Sequence, residues 1–217
     1  MLKRIVLATA ITCFLFSKET HAQKFDLSRL YLQQKLEVVN RKASISIENK
    51  KQFVHLSEEE GEGLLWLPIK NFSNGEIVIM MRGKDVPQRS FIGIAFHGKN
   101  NETYDAVYCR PFNFHAQDSV RRIHAIQYIS HPTFTWKKLR EEQNAQFEKE
   151  IPNAPDPNGW FTLKLVIDED LILAYINNNK TEVLKVRKLQ ENYTGKIGIF
   201  MGDGSGGDFE YIKIKNN

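Results

Sequence analysis

The feature that most narrows the fold is a succession of short segments rich in Val, Ile, Leu, Phe and Tyr, none long enough to bury a core alone. They fall at 35–39, 44–47, 53–56, 63–67, 76–82, 90–97, 105–110, 124–129, 160–167, 171–176, 196–201 and 209–214. Turn chemistry separates them, in Asn74-Gly75, Asp168-Glu169-Asp170, Asn177-Asn178-Asn179 and the glycine-rich run 202–207. Strand-like segments that follow one another without intervening helices predict an all-β antiparallel sandwich. One exception interrupts the series. Trp136, Leu139 and Phe147 share a narrow helical stripe among Lys and Glu, which predicts a helix over 135–147 laid across one end of the sandwich. A short helix over 27–34 is expected to precede the strands. The chain has no Ser/Gly-rich linker and no internal repeat, so 23–217 reads as a single domain.

The N-terminus carries an address. Lys3 and Arg4 precede an apolar run at 5–16 that is too short to span a bilayer, and Thr20-His21-Ala22 supplies small residues for cleavage after Ala22. Residues 1–22 therefore read as a secretory signal peptide, and the mature chain as a secreted or periplasmic protein. Cys13 lies inside the apolar run, which makes lipid attachment there the weaker alternative. Cleavage would remove Lys3, Arg4 and Lys18 against Glu19, so much of the formal net charge of +4 belongs to this segment. Neither nucleic acid nor an anionic membrane is implied as a partner. No second apolar stretch is long enough for an integral membrane span, and the mature chain keeps one cysteine, Cys109, so its stability must come from a core.

Between Ser90 and Trp136 the sequence gathers polar groups suited to hydroxyl-rich ligands: His97, Tyr108, Arg110, Asn113, Arg122, His124, Gln127, His131 and Trp136. Strand alternation sends Ile92, Ile94 and Phe96 to one side and Phe91, Gly93, Ala95 and His97 to the other, and it places Tyr108 and Arg110 opposite Val107 and Cys109. Gly93 and Ala95 would leave a shallow floor on the second side. Guanidinium, amide and imidazole groups pair with adjacent hydroxyls, and an aromatic ring packs on the apolar face of a pyranose, so a carbohydrate ligand is expected. Solvation of each polar group on an ordinary sheet face is the competing reading.

Sharper motifs are not sustained. Gly202, Gly204 and Gly207 match G-x-G-x-x-G, but a strand follows them where a dinucleotide site needs a helix. The histidines and Cys109 lack the paired spacing of a zinc site. No cofactor is expected, with Ca²⁺ left open because Asp203, Asp208 and Glu210 are available oxygen ligands.

The runs Ser90-Phe-Ile-Gly-Ile-Ala-Phe-His97, Tyr104-Asp-Ala-Val-Tyr-Cys-Arg-Pro-Phe-Asn-Phe114, Asn158-Gly-Trp-Phe-Thr-Leu-Lys-Leu165 and Gly195-Lys-Ile-Gly-Ile-Phe200 resemble the concanavalin A-like lectin/glucanase superfamily. Within it they are most similar to the bacterial 3-keto-disaccharide hydrolase-type domains related to family 16 glycoside hydrolases. The resemblance implies a jelly roll of two antiparallel sheets whose concave face binds or processes glycans. The paired acidic residues of family 16 are missing: Val78 and Met80 occupy the strand after Asn74-Gly75, and Glu58-Glu59-Glu60 and Asp168-Glu169-Asp170 read as loops. Elimination from a 3-keto sugar needs only one base and a cation to stabilise the enolate, roles open to His97 or His124 and to Arg110 or Arg122. Tyr108, Asn113, Gln127, His131 and Trp136 would then hold the sugar. A glycan-binding module, a glycoside-processing enzyme and a non-catalytic domain of the cell envelope all remain open at this point, as does the oligomeric state.

Overall fold

Two antiparallel sheets face each other across a continuous apolar layer in the computed structural model, which describes residues 22–217. The expected signal peptide and Cys13 lie outside the described residues, apart from Ala22. In chain order the strands begin with β1 (Gln23–Asp26), β2 (Glu37–Val39), β3 (Ala43–Glu48), β4 (Lys51–Leu56), β5 (Gly63–Trp66), β6 (Gly75–Arg82), β7 (Ile92–Gly98) and β8 (Tyr104–Cys109). They continue with β9 (Ile126–His131), β10 (Glu148–Lys149), β11 (Trp160–Asp168), β12 (Leu171–Ile176), β13 (Leu184–Arg187), β14 (Lys196–Met201) and β15 (Gly207–Asn216). Three short helices, α1 (Leu27–Leu32), α2 (Ser119–Arg122) and α3 (Trp136–Glu142), interrupt them.

The first sheet runs β13-β12-β11-β6-β15-β4-β3, with β1 added alongside β15, and the second runs β10-β9-β8-β7-β14-β5-β2. Consecutive hairpin strands alternate in each sheet with long crossovers, β11-β6, β6-β15 and β15-β4 in the first and β7-β14 and β14-β5 in the second, as in a jelly roll. In the first sheet the alternation is regular: Ile77, Ile79 and Met81 of β6 and Phe161, Leu163, Leu165 and Ile167 of β11 are buried, while the residues between them are partly exposed. Ile92, Ile94, Val107, Cys109, Ile126, Tyr128, Ile199 and Met201 of the second sheet meet them in one core.

The second sheet departs from simple alternation. Every residue of β7 and of β8 is buried, because the outer face of this sheet is itself covered. Leu64, Trp66, Ala95, Tyr104, Ala106, Tyr108, Ile129 and Phe200 form a second apolar layer there, closed from above by Leu139 of α3. The helix is shorter than the 135–147 expected. Thr135 caps it, its hydroxyl accepting from the Lys138 N–H at 3.4 Å, and it ends before Phe147, which leads into β10. Among the described residues no helix is long and apolar enough to cross a membrane.

Candidate functional site

On its outer face the second sheet carries a pocket of about 440 Å³ at the end where β8 and β14 finish and β5, β7 and β9 begin. Its size falls within the usual range for small-ligand sites. Tyr108 and Phe200 form the floor, Phe91, Phe112 and Trp136 add aromatic surface, and Arg110, Asn113, Arg121, His124 and Arg140 stand along one side. Glu62 and Asp203 stand on the other. α3 covers the middle of the face through Leu139 and presents Trp136 and Arg140 as a wall, so the groove expected from the sequence is narrowed to a pocket.

A buried polar network holds the cationic side in place. Glu148 pairs with Gln127 in the β9–β10 ladder, which puts both side chains on the outer face. Arg140 donates to Glu148 through Nε at 3.1 Å and Nη2 at 2.8 Å. Arg110 Nη1 lies 3.6 Å from the same carboxylate, and His124 Nδ1 stands 2.7 Å from Oε2 in a close contact without hydrogen-bond alignment. Arg110 also donates to the His124 carbonyl at 2.8 Å, to the Tyr108 hydroxyl at 2.9 Å and to Gln127 Oε1. Tyr108 donates to Gln127 Oε1 at 2.9 Å. Burial pushes the Tyr108 hydroxyl up to about 12 against the pull of Arg110, so it serves as a proton donor and not as a phenolate. Burial would raise the Glu148 carboxyl, but the Arg140 hydrogen bonds and the charges of Arg140, Arg110 and His124 outweigh it and hold the group below its ordinary value.

On the opposite side Glu62 Oε2 accepts from the Tyr104 hydroxyl at 2.7 Å, and Asp203 Oδ1 accepts from the Gly61 N–H at 2.6 Å. Arg41 is buried behind this wall, donating to the carbonyls of Gly61, Gly202 and Ser205.

Tyr108, Arg110, Asn113, His124 and Trp136 therefore line one pocket, as the sequence led us to expect of their placement. Gln127 is fully buried and holds Tyr108 and Arg110 from beneath, so it does not face the cavity. His131 shares the outer face but stacks on Tyr104 with ring centroids 5.0 Å apart, and its Nε2 lies 3.5 Å from Glu62.

Three further expectations are corrected. His97 is absent from the floor. Between Ala95 and Gly98 two residues of β7 oppose the single Ile197 of β14, and this bulge, with φ 51 at His97, turns the ring into the interior. There the ring stacks on Phe72 and its Nε2–H donates to the Ser73 carbonyl at 2.7 Å. Arg122 also points elsewhere, donating to the carbonyls of Ala116 and Gln117. Its neighbour Arg121 lines the pocket instead, because successive residues on the single turn of α2 face different ways. Gly93 likewise leaves no open floor, since Val107 O and Tyr108 Cα of β8 occupy the space beside it.

Glu148, Glu62, Asp203 and Arg140, together with Arg121, Phe112 and Phe200, belong to the site although sequence reasoning did not assign them to this face. β10 has only two residues, too short for an alternation signal, and Glu62 follows the acidic run 58–60 that reads as loop. Among the described residues no group of three or more metal-ligating side chains is present, and Asp208 is committed to Arg82, at 2.9 and 2.8 Å, and to His55 at 2.7 Å.

No family model and no curated protein sequence matches the chain. Solved structures do. The carbohydrate binding module CBM66 from Bacillus subtilis superposes with a TM-score of 0.58 at 14% identity, over 84% of this chain and 96% of its own. A native glycosidic hydrolase superposes with a TM-score of 0.57 at 14% identity, over 91% of this chain and 97% of its own. The exoplasmic/lumenal domain of VIP36 in its Ca²⁺/Man-bound form gives 0.57 at 11% identity, over 84% of this chain and 83% of its own. At these identities the likeness establishes the fold, a jelly-roll β-sandwich of the kind found in carbohydrate-binding and lectin-like domains.

Proposed function

We propose that this chain is an extracytoplasmic carbohydrate-binding domain and that its ligand sits in the pocket over β8, β7 and β14. The observation that carries this reading is the lining itself: Trp136, Phe91 and Phe112 offer flat apolar surface, and Arg110, Asn113, His124, Glu62 and Asp203 offer hydrogen-bonding groups around it. A pyranose presents both kinds of surface, an apolar face and a girdle of hydroxyls. Solved structures of the same fold include a carbohydrate binding module, and VIP36 was solved in a mannose-bound form, which adds support from the fold. Residues 1–22, read as a signal peptide, place the domain outside the cytoplasm in this reading.

A glycoside-processing activity is the second reading, favoured by the pair of carboxylates, Glu62 and Asp203, on the wall facing His124 and Arg110. The test of both is a glycan array followed by titration with the best ligands, using the wild type and Trp136→Ala, with products monitored in the same samples. Saturable binding that Trp136→Ala weakens supports the proposal. Accumulation of cleaved product moves the assignment to the enzyme, and absence of binding to any glycan overturns it.

A further inference from the structure

The pocket is electrically lopsided, and the asymmetry follows the order of strands. Arg110 leaves β8, His124 precedes β9 and Arg140 rides on α3 above β9, while Glu62 precedes β5 and Asp203 follows β14. The two sets stand at opposite ends of the strand run β9-β8-β7-β14-β5. With strands about 4.8 Å apart, β8 and β14 alone are separated by about 10 Å, enough for a sugar ring to lie between cationic and acidic walls.

On the β8–β9 side one carboxylate, Glu148, serves two guanidinium groups, those of Arg110 and Arg140. The third, Arg121, bonds only to neutral oxygens, through Nε to Asn113 Oδ1 at 3.3 Å and through Nη2 to the Phe112 carbonyl at 3.1 Å, and it has no carboxylate within ion-pair distance among the described residues. This wall therefore holds more positive charge than the protein neutralises. On the β14–β5 side the reverse imbalance is small, because Arg41 lies behind Glu62 and Asp203 and bonds the carbonyls that frame them.

We propose that the saccharide taken by this pocket is an acidic one, a uronate-type sugar, with its carboxylate against Arg121 and Arg140 and its ring hydroxyls toward Glu62 and Asp203. The proposal rests on the reading of this pocket as a carbohydrate site and names the ligand class for it. A carboxylate supplies the missing negative charge and matches the planar guanidinium fork, and hydroxyls donate to the acidic wall where a second carboxylate would be repelled. The Trp136 and Phe112 rings flank the space between.

Calorimetric titration of the full chain at physiological salt tests this with trigalacturonate, its fully methyl-esterified form, and a panel of neutral oligosaccharides. The expected result is binding of trigalacturonate that weakens at least about tenfold on esterification and by a similar factor in Arg121→Gln, with part of it restored in Arg121→Lys. Melting temperatures of the two variants are measured alongside, and they should match the wild type because the Arg121 side chain is on the surface. Equal binding of the acid and the ester, or preference for neutral sugars, overturns the acidic ligand and leaves the carbohydrate site standing. Binding of the acid that is indifferent to Arg121→Gln also overturns it, as diffuse attraction to a basic surface. Absence of binding to acidic and neutral sugars alike removes the carbohydrate reading and this inference with it.

Discussion

Arg110 and Glu148 lie 3.6 Å apart beneath the pocket, their side chains 5% and 2% exposed, so the charge lining the site is anchored by an ion pair almost wholly withdrawn from water. An isolated charge at that depth costs several kcal/mol, and a pair of this kind persists only when the surrounding hydrogen bonds satisfy both partners. Gln127, Tyr108 and the His124 carbonyl do so for Arg110, and Arg140 does so for Glu148.

Replacing Glu148 by Gln leaves Arg110 and Arg140 facing each other without an anion. We predict a loss of about 3–5 kcal/mol in folding stability, measured by urea denaturation, together with weaker ligand binding as Arg110 shifts. A change within about 0.5 kcal/mol would mean that the carboxylate does not anchor the wall.

Lys188 and Asp105 form a second buried pair inside the sandwich, with Nζ to Oδ2 at 2.6 Å and both side chains 1% exposed. The three ammonium protons go to Asp105, to His97 Nδ1 at 2.6 Å and to the Asn192 carbonyl. Tyr128 and Ser130 donate to the other Asp105 oxygen at 2.8 and 2.5 Å. Lys188→Met should cost about 3–5 kcal/mol, and adding Asp105→Asn should cost less than the sum of the separate changes, because the charge left unpaired by the first is removed by the second. Additive losses in denaturation would contradict the coupling.

Acid should destabilise the fold in two stages. Burial lowers His124 and His131 from their ordinary value of 6.5, so the folded state favours their neutral forms and loses stability as pH falls below that value. Asp105 and Glu148 are held below 3.8 and 4.5, so their contribution is present above those values and is lost as pH falls through the lowered ones. Melting temperature recorded from about pH 8 to about pH 2 should fall gently below about 6.5 and then steeply below about 4.5. A rise on acidification would reverse the sign and refute the assignment.

Gly93→Ala places a Cβ 2.1 Å from Val107 O and 2.5 Å from Tyr108 Cα, both backbone atoms of β8 that cannot swing aside. The strands must separate under the pocket floor, and a loss of about 1–3 kcal/mol is expected by thermal denaturation. A neutral result would show that β7 and β8 pack less closely than described.

The segments expected as strands all appear, because their alternation or their apolar runs are set by pairing into sheets and need no distant information. β1, β10 and β13 are not legible, being edge elements of two to four residues, too short to show an alternation of their own. Tyr108 and Arg110 could be placed correctly because β8 is regular up to Cys109. His97 could not, since the bulge that inverts it is created by its pairing with β14. Arg121 and Arg122 are adjacent and chemically alike, so only the geometry of a single helical turn decides which of them meets the cavity. Glu148 reaches the site through a two-residue strand that carries no pattern of its own.

The most direct test of a saccharide site in this pocket follows the three indole N–H resonances of Trp66, Trp136 and Trp160 by NMR during titration with acidic and neutral oligosaccharides. Trp136 is 45% exposed on the pocket wall, Trp66 is buried with its N–H donating to Asn101 at 2.8 Å, and Trp160 packs on Phe53, both in the first sheet and away from the pocket. A saturable shift of the Trp136 signal, with Trp66 and Trp160 unmoved, is the predicted result. A titration in which Trp160 responds and Trp136 does not, or in which none of the three moves with any sugar, would contradict it.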